Sequence, residues 1–311
     1  MTKFLLWRLI QFPFILAVIY LITFLLAWVA PGNPFEQTDR KLDPVALAQL
    51  QKQYHAEHWY TFLGYYPLRM VHGDLGPSMA YKGWTVNDVM RSALPVSVTL
   101  GLFAMAIALI LGSFIGALAA VRRGGPFDYA SLIAALVGIS LPGFVVAGVL
   151  ITIFSDKLDW FPSGGWGRFS DMVLPAFALA LMPLAYIARL TRAAMIDVLS
   201  ADYVRTARAK GLGRGSVIWR HCFRNAFLPV FSFLGPAAAG TLTGSFVVEK
   251  VFNIPGLGIH FVNSVSNRDR TMILGTVMVY SLFLLTFNLL VDVGYAFIDP
   301  RIDVTSAGAP S

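Results

Sequence analysis

The residues of this chain best placed to act on another molecule are basic. Residues 202–229 read DYVRTARAKGLGRGSVIWRHCFRNAFLP, where small residues and arginines recur at helical spacing and Asp202 is the only acid. The chemistry such a stretch offers is docking, through an ordered cationic surface that meets a partner. The spacing predicts a short helix over 202–210, capped by Asp202 or Ser200, with Val204, Ala207 and Arg208 along one side. Ala207 is small enough to let a partner surface come close. Gly211 supplies backbone freedom for a sharp turn into a second short helix that begins near 213–216. Two plainer readings stand beside this one: Gly211 as a simple helix stop, and the arginines as signals that orient the chain in a membrane.

Groups for bond-making chemistry are scarce elsewhere. No HExxH or GxSxG arrangement occurs, and no pair of acids faces another at helical spacing. His55 and His58 are spaced to share a helical face, but no third metal ligand is in view. Asp292 is the one acid inside an apolar run. It reads either as a proton or ion relay or as the partner of an arginine or of interfacial water. The absence of GxxxxGK[ST] removes P-loop nucleotide binding from this chain. The single cysteine, Cys222, excludes an intrachain disulfide and reads as a packed small residue.

The elements that must position these residues are membrane spans. The chain has 311 residues, 57% hydrophobic and only 13% charged, against about 25% charged in a soluble domain. Continuous apolar runs lie at 10–30, 96–121, 129–154, 172–189, 227–248 and 272–297, each near the roughly 20 residues a bilayer requires. The fold class expected is therefore all-α and polytopic, with six transmembrane helices. Lys3 and Arg8 before the first run resemble a signal peptide, yet the apolar core is too long for one, and an uncleaved helix is expected.

Positive charge falls at the N-terminal flank, at Arg122 and Arg123, through 189–224 and at Arg301. The short loops on the opposite side carry Lys157, Arg168, Lys250, Arg268 and Arg270, offset by acids. That asymmetry puts both termini in the cytoplasm. It also accounts for the net charge of +7 without nucleic acid.

Four segments follow: 1–34 as the first helix, 35–93 as an external segment, 94–298 as the membrane core, and 299–311 as a cytoplasmic tail. The external segment mixes acids with Trp59, Tyr60, Tyr65 and Tyr66, which suggests a small folded cap with a helix over 46–54. The closing residues 305–311 read as a frayed end. Pro142, Pro175, Pro183, Gly235 and Pro236 suit helices that bend or line a cavity, or else ordinary packing kinks.

Residues 202–229 resemble the cytoplasmic "EAA" loop of ABC importer membrane subunits, with Arg205-Thr206-Ala207 in place of the small-residue triad and Gly211 as its glycine. Arginine replaces the acid, and the Leu228-Pro229 pair comes late. Both departures look like the peptide-importer branch. Ala30-Pro-Gly-Asn-Pro34, Gly73-Asp-Leu-Gly-Pro-Ser78, Leu94-Pro95, Arg189-Leu-Thr-Arg192, Gly256-Leu-Gly258 and Asp299-Pro300 are similar to the B-type permease of oligopeptide and dipeptide importers. Asn267-Arg-Asp269 and Thr243-Gly-Ser245 with Glu249 lean toward the oligopeptide member.

The resemblance implies a type I ABC importer transmembrane domain that forms half of a pathway for oligopeptides. A dipeptide or nickel importer is the alternative within the family; a membrane scaffold or intramembrane enzyme is the remote one. It implies as partners a homologous C-type permease, two ATPase subunits, a peptide-binding solute-binding protein, the peptide and membrane lipid. No cofactor is implied on this chain; ATP and Mg belong to the ATPase subunits. It places the protein in a bacterial inner membrane and assigns the ATPase contact to Asp202, Tyr203, Val204, Arg205, Ala207, Arg208, Gly211 and Leu212.

Overall fold

The structure is a computed structural model that describes residues 2–35, 43–81 and 83–298. The tail at 299–311 and the start of the polar segment at 36–42 lie outside the described residues. Helices are α1 (Thr2–Val29), α2 (Pro44–Gln53), α3 (Trp59–Val71), α4 (Val86–Val121), α5 (Pro126–Ser140), α6 (Gly143–Leu150), α7 (Phe169–Leu199), α8 (Asp202–Ala209), α9 (Arg214–Ser216), α10 (Phe223–Ala226), α11 (Leu228–Val251), α12 (Leu257–Ser266) and α13 (Arg270–Ile298). Residues Ile151–Lys157 and Val217–Cys222 wind as π-helix. Among the described residues the only β-type pairing is an isolated bridge between Pro77 and Thr85.

Among the described residues four helical stretches are long and apolar enough to cross a bilayer alone: Trp7–Val29, Val86–Val121, Phe169–Leu199 and Arg270–Gly294. The apolar runs at 129–154 and 227–248 behave differently. The first bends by 108° between α5 and the Gly143–Lys157 helix, and the second joins Val217–Ala226 at 50°. Counting each bent pair once gives six spans. Pro142 explains the larger bend, because its ring removes one N–H and clashes with the preceding turn.

The chain divides into two compact units. The first comprises Met1–Ser97 and Pro255–Leu285. α1 is mostly apolar beyond Arg8 and leaves Trp7, Ile10, Phe14, Leu25 and Val29 exposed, the pattern of a helix solvated by lipid. Its other side stacks aromatics: Tyr20 on Phe24, Phe24 on Trp28 and on Phe62 of α3. The Arg270 guanidinium lies 4.2 Å from the Trp28 ring centroid. α2 starts where Asp43 accepts a hydrogen bond from the Val45 N–H and Pro44 takes the first helical position. Phe62 and Tyr66 complete the core with Met79 and Leu274. The described residues of the polar segment, 43–81 and 83–93, thus contribute to a packed core.

Hydrogen bonds hold the loop between α3 and α4. Buried Asp269 accepts from the Ser78 hydroxyl, from the Ala80 N–H at 3.1 Å and from the Met272 N–H at 3.0 Å. Asn87 bridges both sides of the turn, accepting from the Leu75 N–H and donating to the Gly73 carbonyl. Arg69 pairs with Asp74, whose carboxyl is held below the usual carboxylate range by that guanidinium. His55 and His58 do not share a helical face. His55 sits in a positive-φ turn after α2, and His58 is the N-cap of α3.

The second unit comprises Val98–Ile254 and Thr286–Ser311. α7 is its centre, with Ala176, Ala178, Ala180, Ala185 and Ala188 buried. Small residues let neighbouring backbones approach, the usual solution where lipid removes a hydrophobic drive between helices. Gly112 and Gly116 of α4 lie against the α7 backbone. A Cβ at Gly112 would stand 2.8 Å from the Leu184 carbonyl, and one at Gly116 2.8 Å from the Thr191 Cβ. Asp292 lies on α13 and is partly buried.

Candidate functional site

The basic segment begins where α7 ends. Ser200 and Ala201 turn the chain, and α8 starts at Asp202. The N-cap is Ala201, without a side-chain bond, so neither Asp202 nor Ser200 caps the helix. The Ser200 hydroxyl donates instead to the Asp197 carbonyl. Asp202 still suits the first turn and Arg208 the last, since each charge opposes the helix dipole there.

α8 ends in a Schellman motif. The Gly211 N–H donates to the Arg208 carbonyl at 2.9 Å, and the Leu212 N–H to the Ala207 carbonyl at 3.3 Å. Gly211 has φ +78°, which an L-residue adopts only with strain, while the space around its missing side chain is open. The glycine is therefore required by conformation and not by crowding.

Burial divides the eight sequence-predicted residues. Val204 and Ala207 turn inward and join Ala117, Ala120, Met195, Val217, Cys222 and Ala226 in one apolar cluster. The close approach at Ala207 is thus made to its own chain. Arg208, expected on the same side, is exposed, as are Asp202, Tyr203, Arg205, Gly211 and Leu212. Periodicity identified the apolar side of the helix but not what covers it. Asp202 and Arg205 approach to 3.6 Å across the open surface, a screened pair worth less than about 1 kcal/mol. The Asn225 side-chain amide donates to the Tyr203 hydroxyl at 3.0 Å, fixing that ring.

Beyond the turn, Trp219, Phe223, Phe227 and Phe231 form an aromatic row with successive centroids 5.2, 5.8 and 6.5 Å apart. The row runs from the basic segment onto α11.

A cavity of about 650 Å³ opens in the same unit, lined from the α5–α6 bend, α7 and α11 by residues that include Ser140, Pro142, Phe144, Tyr186, Phe233 and Thr241. Among the described residues no Asp, Glu, Lys, Arg or His lines it. Its hydroxyls are partly spent on their own helices: Ser140 donates to the Leu136 carbonyl and Thr241 to the Ala237 carbonyl. Such a wall is apolar and makes few demands on what touches it.

Sequence reading treated Arg192 as one cation among several and passed over Asp128. The structure joins them, Nε–Oδ1 at 2.5 Å and Nη2–Oδ2 at 2.8 Å, with Asp128 buried. The available signal was Gly125-Pro126 followed by an acid in the first turn, a helix start with a carboxylate to spare. Among the described residues no group of three or more His, Cys, Asp or Glu is arranged to hold a metal ion.

Comparison with known proteins agrees with this architecture. Residues 112–304 match the family model of binding-protein-dependent transport system inner membrane components. The dipeptide transport system permease protein of Bacillus subtilis (strain 168) is 41% identical over 309 residues, covering 99% of this chain and 100% of that protein. The oligopeptide transport system permease protein of Escherichia coli (strain K12) is 42% identical, covering 97% and 99%. Among solved structures, the inward-facing MetNI methionine ABC transporter superposes with a TM-score of 0.56 at 15% identity, over 68% of this chain and 96% of that one. That likeness carries the fold alone. A full-length relationship above 40% identity and a family match over most of the helical core leave one assignment: the chain belongs to the family of binding-protein-dependent transport system inner membrane components.

Proposed function

We propose that this chain is the permease subunit of an ATP-driven peptide importer and forms half of a pathway for oligopeptides delivered by a solute-binding protein. The cavity carries the reading. A wall that presents no Asp, Glu, Lys, Arg or His among the described residues, at the break of a bent span, suits a cargo whose side chains vary and whose backbone does not. Full-length relatives named for dipeptide and oligopeptide transport support the cargo class.

The exposed face of α8, with Asp202, Tyr203, Arg205, Arg208, Gly211 and Leu212, meets an ATPase subunit; Val204 and Ala207 hold the helix from beneath. ATP and Mg are bound by two such ATPase subunits, and a homologous permease closes the other side of the pathway. The protein lies in a bacterial inner membrane with residues 202–229 and both termini cytoplasmic, and the segment 35–93 faces outward. Hydrolysis belongs to the ATPase subunits, since this chain lacks a phosphate loop.

The test is uptake by the reconstituted assembly of labelled peptides of graded length, with nickel as control. ATP-dependent uptake of tri- to pentapeptides supports the reading. Uptake restricted to dipeptides or to nickel, or ATP hydrolysis by the purified chain alone, contradicts it.

A further inference from the structure

α5 is tied to α7 at both ends. In its first turn, buried Asp128 takes the Arg192 guanidinium in a two-point grip and accepts the Gly124 N–H at 2.9 Å. Near its other end, a Cβ at Gly138 would stand 3.4 Å from the Ala185 Cβ and the Leu181 Cγ, so the helices lie in contact there. Pro142 then turns the chain by 108°, and this bend lines the cavity.

Arg192 stands two turns before the end of α7, which passes through Ser200 and Ala201 into α8. Met195 of α7 shares its apolar cluster with Val204 and Ala207 of α8. A continuous packed path therefore runs from α8 through α7 and the ion pair to α5 and its bend.

A cation needed only to orient the chain has no use for a buried acid 64 residues away. Buried pairs of this kind are poor stabilisers, because desolvation offsets the attraction. A planar guanidinium on a carboxylate fixes direction as well as distance, which packed methyl groups do not.

We propose that Asp128 and Arg192 are positioning residues that lock α5 to α7, so that a displacement entering at α8 re-aims the bend at Pro142 over the cavity. The proposal rests on the reading of α8 as the ATPase contact.

The test uses the whole assembly in proteoliposomes and records the ratio of peptide taken up to ATP hydrolysed. D128N and R192Q should each lower that ratio by about tenfold while hydrolysis stays within about twofold. The exchanged pair D128R/R192D should restore much of it. Uptake and hydrolysis falling together, or an unchanged ratio, would overturn the proposal. If the single variants do not assemble, R192K keeps the charge and loses the two-point geometry; it should assemble and lower the ratio, and an unchanged ratio overturns the proposal.

Cross-linking from Arg205→Cys to the ATPase, with Cys222 replaced, separates the two readings. A lowered ratio in D128N without that cross-link retires the reading of α8 and keeps the pair. The cross-link with an unchanged ratio retires the pair.

Discussion

The two units of this chain are held together by different physics. The first fixes its loops with directional bonds: Asp269 is fully buried among four donors, and Asn87 spans a turn with its amide. The second brings helices together mainly through glycine and alanine, adds the buried Asp128–Arg192 pair between α5 and α7, and breaks one span at Pro142. Directional bonds at a buried carboxylate have one good geometry, and departure from it is costly. Smooth small-residue contacts permit sliding and bending at much lower cost. The comparison teaches that the first unit fixes its loops by such bonds, whereas the second combines one such tie, Asp128 with Arg192, with small-residue contacts that are able to bend.

The largest effect should come from filling a close approach in the second unit. Gly116→Leu drives a side chain into the Ala188 carbonyl and the Thr191 side chain, and backbone cannot yield as a flexible side chain would. Destabilisation of about 3 kcal/mol or more is expected, read as loss of the monodisperse peak of the purified protein. Retention of that peak at the wild-type melting temperature would mean that α4 and α7 are not close-packed.

Next comes the directional bonding of the first unit. Asp269→Asn keeps the shape but turns an amide toward buried donors, for a cost of about 2 kcal/mol. Thermal unfolding of the purified complex measures it. A melting temperature equal to wild type would remove the contrast between the units.

A smaller effect belongs to the α8 turn. Gly211→Val strains a positive-φ position by about 1–2 kcal/mol, whereas asparagine tolerates that conformation. Because the space around Gly211 is open, uptake should fall for valine and stay near wild type for asparagine. Equal loss in both would point to contact with the side chain and not to backbone strain.

The smallest concerns acid. Burial pushes the His260 imidazole below its ordinary value, and its Nδ1 is buried without a hydrogen-bond partner. The unfolded chain then binds the proton more readily, so stability is intact above about pH 6.5 and declines as pH falls below it. Thermal unfolding between pH 7 and 5 should show this slope in wild type and a flatter one in His260→Gln; identical slopes would exclude the residue.

Much of this was legible along the chain because it is local. Apolar runs marked the spans, and Gly211 after a basic amphipathic stretch marked the turn. Aromatics within a polar segment marked its share in a packed core. What was hidden is non-local. Proline at 142 signals a break, but its angle depends on the neighbours that satisfy the freed backbone groups. The inward aim of Ala207 depends on Ala117 and Met195, and the partner of Asp128 lies 64 residues on. Asp269 meets Ser78 across 191 residues, a separation that no periodicity encodes.

Hydrogen exchange on the assembled transporter, with and without ATP trapped in its ATPase subunits, tests the contrast between the two units most directly. The account predicts that ATP changes exchange at 202–226 and 138–148 and leaves 59–81 and 257–272 as they were. Changes confined to 59–81 and 257–272, with the α8 turn and the Pro142 bend unaltered, would contradict it.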